Sequence, residues 1–243
     1  AYQMLKRGCA LDFFIVNLVG EKGFWQAARV YNYLISQYTH GYKPKLFVLD
    51  GTSLVDFLQK NTNDRMRQLA LKIAFYKLGE KVAKENSLKA IVTGEALSQK
   101  STQTLSSLSF IEGYSDIPVL RPLIGFDKVE VMAIAEKIGT FASSKRVKEY
   151  CNLANGPVIA TPRTSHDKFI PNFDEIVEEL YQKIEVHEGI IDIQEEECGL
   201  DKDTFHKPLE IVDARSKLSQ KMFEYDVDHV ISFPEILDQL STF

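Results

Sequence analysis

Four apolar runs, each followed by a stretch with helical spacing, constrain this chain more than any other feature. Residues 9–18 (CALDFFIVNL), 45–49 (KLFVL), 88–93 (LKAIVT) and 119–123 (VLRPL) are rich in β-branched and aromatic residues and read as buried strands. Residues 1–8 read as the end of a helix running into Gly8. After the first strand, Ala27, Val30, Tyr31, Leu34 and Ile35 recur at helical spacing through residues 24–38. Ser53 caps a short helix through Leu58, and Asn63 or Asp64 caps a long one to about Glu85. Residues 98–108 read as a polar helix, and Asp127 caps another that reaches Lys137 and stops at Gly139. Strands that alternate with helices make β-α-β units. The expected fold class is α/β, an open, mostly parallel, Rossmann-like sheet with the four strands adjacent and helices on both faces.

The alternation fades after Tyr150. Residues 152–172 hold Gly156, Pro157, Pro162 and Pro171 and read as loop. Residues 172–185 read as an acidic amphipathic helix and 199–208 as a linker. New strands at 209–212 and 230–233 suggest the start of a second, small domain. The expected organisation is therefore a main domain over 1–170, an acidic helix and linker over 171–207, and an incomplete segment over 208–243.

Charge narrows the partners. The net charge of −5 argues against wholesale polyanion binding. Its distribution is uneven, however: residues 63–100 carry eight Lys/Arg against four Asp/Glu, and residues 171–213 three Lys against fourteen Asp/Glu. Only the first stretch favours a nucleic acid. The three cysteines, Cys9, Cys151 and Cys198, are far apart and form no C-x-x-C pair, which argues against a zinc site or a disulfide framework. Cys9, opening an apolar strand, is expected to be buried. No run is long and apolar enough to span a membrane, and no signal peptide is evident, so the expected location is cytoplasmic.

In an open parallel sheet, ligands bind beyond the carboxyl ends of the strands. That rule selects the turn after Leu18, the Thr93-Gly94-Glu95 string and residues 121–128. Gly94, lacking a side chain, lets a flat group approach its backbone. The Ser, Thr and Gln residues over 98–104 supply neutral hydrogen-bonding groups suited to phosphate or ribose oxygens, or else a solvated helix face. Arg121 and Lys128 put two cations beside a strand end and a helix start, where they could stabilise charge on a phosphate or simply sit on the surface.

The strings VTGEALSQKSTQTLSSL (92–108), VLRPLIGFDKVEV (119–131), IGT (138–140) and EYC (149–151), in this order and spacing, closely resemble the tRNA 4-thiouridine synthetase family (tRNA sulfurtransferases, ThiI-like) over about residues 1–170. The resemblance implies a PP-loop ATP pyrophosphatase fold and an enzyme that uses ATP and Mg2+. Such an enzyme adenylates a uridine carbonyl oxygen in tRNA, and a persulfide sulfur then displaces AMP. The same sulfur route serves thiazole formation for thiamine. The implied partners are tRNA and a persulfide sulfur donor such as a cysteine desulfurase. A homodimer is compatible with the resemblance and no membrane is involved. Carried over residue by residue, Ile15 and Val16 match the strand end that holds the adenine through backbone groups. Lys72, Gly94 and Gln103 match further nucleotide contacts. Lys128 matches the lysine of the R-P-L-x-x-x-D-K string, toward phosphate, and Cys151 matches the cysteine that resolves the persulfide by forming a disulfide. Lys145, Arg146 and Lys148 precede Cys151, and nearby positive charge favours a reactive thiolate. Residues 211–216 (IVDARS) and 230–234 (VISFP) resemble the opening of a rhodanese domain.

The family's S-G-G-x-D-S phosphate loop is absent from this sequence, and residues 1–9 resemble the helix that follows it. The expectation is a truncated, inactive fragment of such an enzyme. Two alternatives stay open: a non-catalytic remnant that binds AMP or a partner, and another PP-loop enzyme acting on a small molecule.

Overall fold

Two pairs of parallel strands carry the architecture of the computed structural model, which describes residues 1–100, 102–144, 153 and 173–193. Strand β1 (Phe13–Asn17) pairs with β2 (Lys45–Asp50), Phe13 opposite Leu46 and Asn17 opposite Asp50. Strand β3 (Ile91–Val92) pairs with β4 (Val119–Leu120). Helix α1 (Tyr2–Leu5) precedes β1, and α2 (Glu21–Tyr38) connects it to β2. Helices α3 (Thr52–Asn61) and α4 (Arg67–Glu85) lead to β3, and α5 (Leu105–Glu112) leads on to β4. Helices α6 (Lys128–Lys137) and α7 (Phe141–Ser144) follow, then α8 (Phe173–Tyr181) and β5 (Glu185–Glu188).

The period of two along β1 and β2 builds two cores, one on each face. Phe13, Ile15, Leu46 and Val48 pack with Ala28, Tyr31 and Ile35 of α2. Phe14, Val16 and Leu49 pack with Leu54 and Leu58 of α3, Leu69 and Ile73 of α4, and Leu180 of α8. Leu46 and Leu49 are both fully buried, and truncating either to Ala is worth about 2–5 kcal/mol of stability. The α/β class with parallel pairing and helices on both faces is therefore as expected.

The single continuous sheet is not. Among the described residues the ladder β1-β2-β5 and the ladder β3-β4 share no strand pairing. Each strand of the second ladder is two residues long. β3 is seated by α4 instead: Gly79 of that helix leaves room for Ile91, whose side chain lies 3.6 Å from where a Cβ would stand. Ile91 and Val119 join the same core as Val16 and Leu49, so one apolar layer underlies both ladders.

Three boundaries also differ. The polar string does not form a helix from residue 98. Ser98 takes a positive φ of 60°, its N–H donates to the Gln103 carbonyl, and a turn results. The helix starts only after Thr104, whose hydroxyl accepts from the Ser107 N–H at 3.2 Å. Such side-chain bonds compete with helix formation and favour a cap. The acidic helix ends at Tyr181, and residues 185–188 pair antiparallel with β2, where Gly189 (φ 72°) turns its N–H onto the Pro44 carbonyl. β1 begins at Phe13 rather than at Cys9. The chain before it is tied by the Leu11 N–H to the Tyr42 hydroxyl at 2.8 Å, and Cys9 is half-buried instead of buried.

Other caps follow the sequence. Asp127 and Glu130 form a reciprocal capping box at 2.8 Å in both directions at the start of α6. Asn63 caps a 3-10 turn (Asp64–Met66) that feeds α4. At α3, Ser53 lies inside the helix; Asp50 instead accepts from the Thr52 N–H and hydroxyl, which holds its carboxyl below the usual range. The expected linker and rhodanese-like segment lie outside the described residues.

Candidate functional site

The carboxyl ends of β3 and β4 gather the charged groups. Thr93, Gly94 and Glu95 follow β3, and Arg121 follows β4. Lys72 and Tyr76 sit one helical turn apart on α4 and so share a face. All of them meet at Glu95, which is only 3% exposed. Its Oε1 accepts from Lys72 Nζ at 2.6 Å. Its Oε2 accepts from the Tyr76 hydroxyl at 2.5 Å, the Thr93 hydroxyl at 3.1 Å and Arg121 Nε at 3.0 Å. Arg121 Nη2 also donates to the Tyr76 oxygen at 2.9 Å and to Glu112.

The electrostatics follow from that arrangement. Burial raises the Glu95 pKa, but the Lys72 charge and the bonds from Lys72, Tyr76 and Arg121 outweigh it, leaving the carboxyl below its usual range. Burial and the Glu95 carboxylate both push the Tyr76 phenol up, against the lowering effect of Arg121. The cluster is thus ionised at Glu95 and neutral at Tyr76 at physiological pH.

Gly94 has no atom within 4 Å of where a Cβ would stand, and the same holds for Gly125 between β4 and α6. Neither has a positive φ. Among the described residues nothing requires glycine at these two positions, so the mouth they form is open above its backbone. Gln103 lies in the turn before α5, 8% exposed, and its Oε1 meets no donor among the described residues. Lys128 is the first residue of α6 and is exposed.

The expected site residues are therefore placed unequally. Lys72 and Gly94 come together through Glu95. Ile15 and Val16 lie in β1, but their side chains enter opposite cores, so any contact they make with a ligand runs through backbone. Cys151 and its preceding cations lie outside the described residues. Glu95 falls within the Thr93-Gly94-Glu95 string that the sequence selects, but its part as the centre of the cluster is not read there, and Tyr76 is not singled out at all. The signal for Glu95 is its place directly after the third strand, where the sheet rule expects a ligand and a buried carboxylate needs cationic partners such as Lys72 and Arg121.

Comparison with known proteins decides the family. A sequence model described as "Thiamine biosynthesis protein (ThiI)" matches residues 1–187. The chain belongs to the ThiI family. A tRNA sulfurtransferase of Thermoplasma acidophilum is 31% identical over 235 residues, covering 94% of this chain and 46% of that protein. A probable tRNA sulfurtransferase of Saccharolobus solfataricus is 36% identical over 166 residues, covering 68% and 43% respectively. A solved structure, a 4-thiouridine synthetase–RNA complex with bound ATP, matches with a TM-score of 0.67 at 25% identity, over 77% of this chain and 51% of that one. This ThiI-family chain spans less than half the length of either sulfurtransferase. No helix among its described residues is long and apolar enough to cross a membrane.

Proposed function

We propose that this chain is the nucleotide-binding part of a tRNA sulfurtransferase, a cytoplasmic enzyme that makes 4-thiouridine and whose sulfur route also serves thiamine thiazole synthesis. The observation that carries the reading is the match to the ThiI family over residues 1–187. The likeness to a synthetase solved with ATP and RNA supports it. In this reading a uridine carbonyl oxygen attacks the α-phosphorus of ATP, an O–P bond forms and pyrophosphate leaves. A persulfide from a sulfur donor such as a cysteine desulfurase then attacks the activated carbon, and AMP leaves. The thiolate of Cys151 then attacks the donor-side sulfur of the C–S–S linkage; that S–S bond breaks, a disulfide forms between Cys151 and the donor, and 4-thiouridine is released. An oxygen of a uridine ring is a poor leaving group; adenylation supplies AMP in its place.

The described residues suit the nucleotide. Backbone groups of Ile15 and Val16 hold the adenine. Gly94 leaves the approach open, and the Gln103 Oε1 offers an acceptor that a ligand N–H can satisfy. An unpaired buried acceptor costs about 1–3 kcal/mol, so filling it favours binding. Lys72 and Lys128 face anionic oxygens. Mg2+ is a separate matter. Among the described residues no three His, Cys, Asp or Glu side chains converge to hold a metal, and both Glu95 oxygens are taken by cations and hydroxyls. A magnesium ion that arrives with the nucleotide would be held by its phosphates, waters and one or two carboxylates; Glu95 is already taken, and no step here is assigned to the ion.

The sequence holds no S-G-G-x-D-S phosphate loop. The chain is therefore expected to bind AMP and ATP within tenfold of each other, about 1.4 kcal/mol, as read by calorimetry. It should form no 4-thiouridine from tRNA, ATP and a persulfide donor. A strong ATP preference would mean that another element grips the phosphates. Thiolation by the 243-residue chain would overturn the fragment reading. Failure of both nucleotides to bind would remove the site itself.

A further inference from the structure

We propose that Glu95 is a positioning residue: it holds the Lys72 ammonium at the open mouth beside Gly94, ready for a nucleotide oxygen. The proposal rests on the reading of this mouth as a nucleotide site.

The bonding at Glu95 is lopsided. Oε2 accepts three hydrogen bonds, from Tyr76, Thr93 and Arg121, which come from α4, the β3 end and the β4 end. Oε1 accepts one, from Lys72. Three bonds from three elements fix the carboxylate plane, so the remaining oxygen has a fixed position and the ammonium 2.6 Å from it does too. An ammonium has three donors, and Glu95 occupies one. The Lys72 side chain keeps 23% of its surface exposed, whereas Glu95 keeps 4%. The pair is thus closed on the carboxylate side and open on the ammonium side. A lysine stem is rich in rotamer entropy, and here that freedom is already lost before a ligand arrives. Glu95 follows Gly94 in the chain, so the held ammonium lies beside the mouth that Gly94 leaves unobstructed.

Stability alone is a poor account of such a group. A buried ion pair adds little over well-packed apolar residues of the same volume. Fixing the end of a long flexible side chain is something an apolar replacement cannot do.

The test is a double-mutant cycle on the full chain, read as AMP affinity by calorimetry. Lys72→Met is expected to lower affinity about tenfold and Glu95→Gln nearly as much, with the double variant no weaker than Lys72→Met alone. Tyr76→Phe, which removes one bond to Oε2 and keeps the ring, should give a smaller loss that vanishes in the Lys72→Met background. Additive losses would mean that Glu95 acts by general stability and overturn the proposal, as would wild-type affinity in Glu95→Gln. A second readout needs no nucleotide: acetylation of Lys72 relative to the exposed Lys89, followed by peptide mass. Glu95→Gln, or Tyr76→Phe if the former does not fold, should raise the Lys72 rate relative to Lys89. If AMP binds no form of the chain, the site reading fails while the labelling still decides Glu95; an unchanged labelling ratio overturns the proposal.

Discussion

The two parallel strand pairs end in mouths that use glycine in opposite ways. At the β1/β2 end, Gly51 is enclosed: a Cβ there would stand 2.3 Å from Leu18 Cδ2 and 3.0 Å from both the Asn17 carbonyl oxygen and Val16 Cγ1. Its N–H donates to that same carbonyl at 2.9 Å. What remains is a cavity of about 240 Å3 bordered by Asp50 and Asp56, an environment that repels phosphate. At the β3/β4 end, Gly94 and Gly125 meet nothing among the described residues, and Lys72 and Arg121 gather on Glu95 beside Gly94. One glycine is needed by the protein's own packing. The others are not, and a residue the fold does not need is a residue a ligand can explain.

The comparison can be broken most forcefully at Glu95. Glu95→Ala leaves Lys72 and Arg121 facing a buried gap, and about 3–5 kcal/mol of stability should be lost, seen as a large drop in the urea midpoint. The Glu95 pKa is depressed in the folded state, so its contribution is complete above the unfolded value of about 4.3 and disappears as pH falls through the folded one. Stability should therefore decline below about pH 4, and Glu95→Gln should flatten that decline. An acid limb that the variant leaves unchanged would show that other carboxyls govern it.

Gly51→Ala comes next. The Leu18 end can turn aside, but the Asn17 carbonyl is backbone, so a loss of about 1–3 kcal/mol is expected in thermal melts. The smallest stability effect belongs to Gly94→Ala, within about 0.5 kcal/mol of the parent. Its AMP affinity should nevertheless drop about tenfold, or 1.4 kcal/mol, when titrated beside the parent chain. If Gly94→Ala melts early or binds AMP normally, the distinction between the two mouths is lost.

Much of this was legible in the sequence because it rests on local rules. Strand β2, the spacing of α2 and the Asp127 cap each need only a few neighbouring residues. The strings carrying Gly94, Gln103 and Lys128 were equally plain. What escaped depended on partners far away in the chain. The Glu95 cluster joins residues 23 and 26 positions from it. β5 overlaps the expected helix only at Glu185 and has no expected element beyond it, because its strand form depends on β2 offering its edge to residues 185–188. The turn at Ser98 hid because a Ser- and Thr-rich string supports a helix start as well as a turn, and the deciding bond, Ser98 N–H to the Gln103 carbonyl, spans it.

β5 itself has a consequence for how the protein behaves among its own copies. A bare outer edge on β2 would present a row of unmet backbone donors and acceptors to any extended chain nearby. β5 covers that row for four residues, then presents its own outer side, with Glu185 and Glu188 exposed at its two ends. A second molecule adding a strand there would bring glutamates against glutamates. Among the described residues the β2 edge is closed by this short acidic strand, and removing it would open that row of backbone groups to edge-to-edge pairing and aggregation.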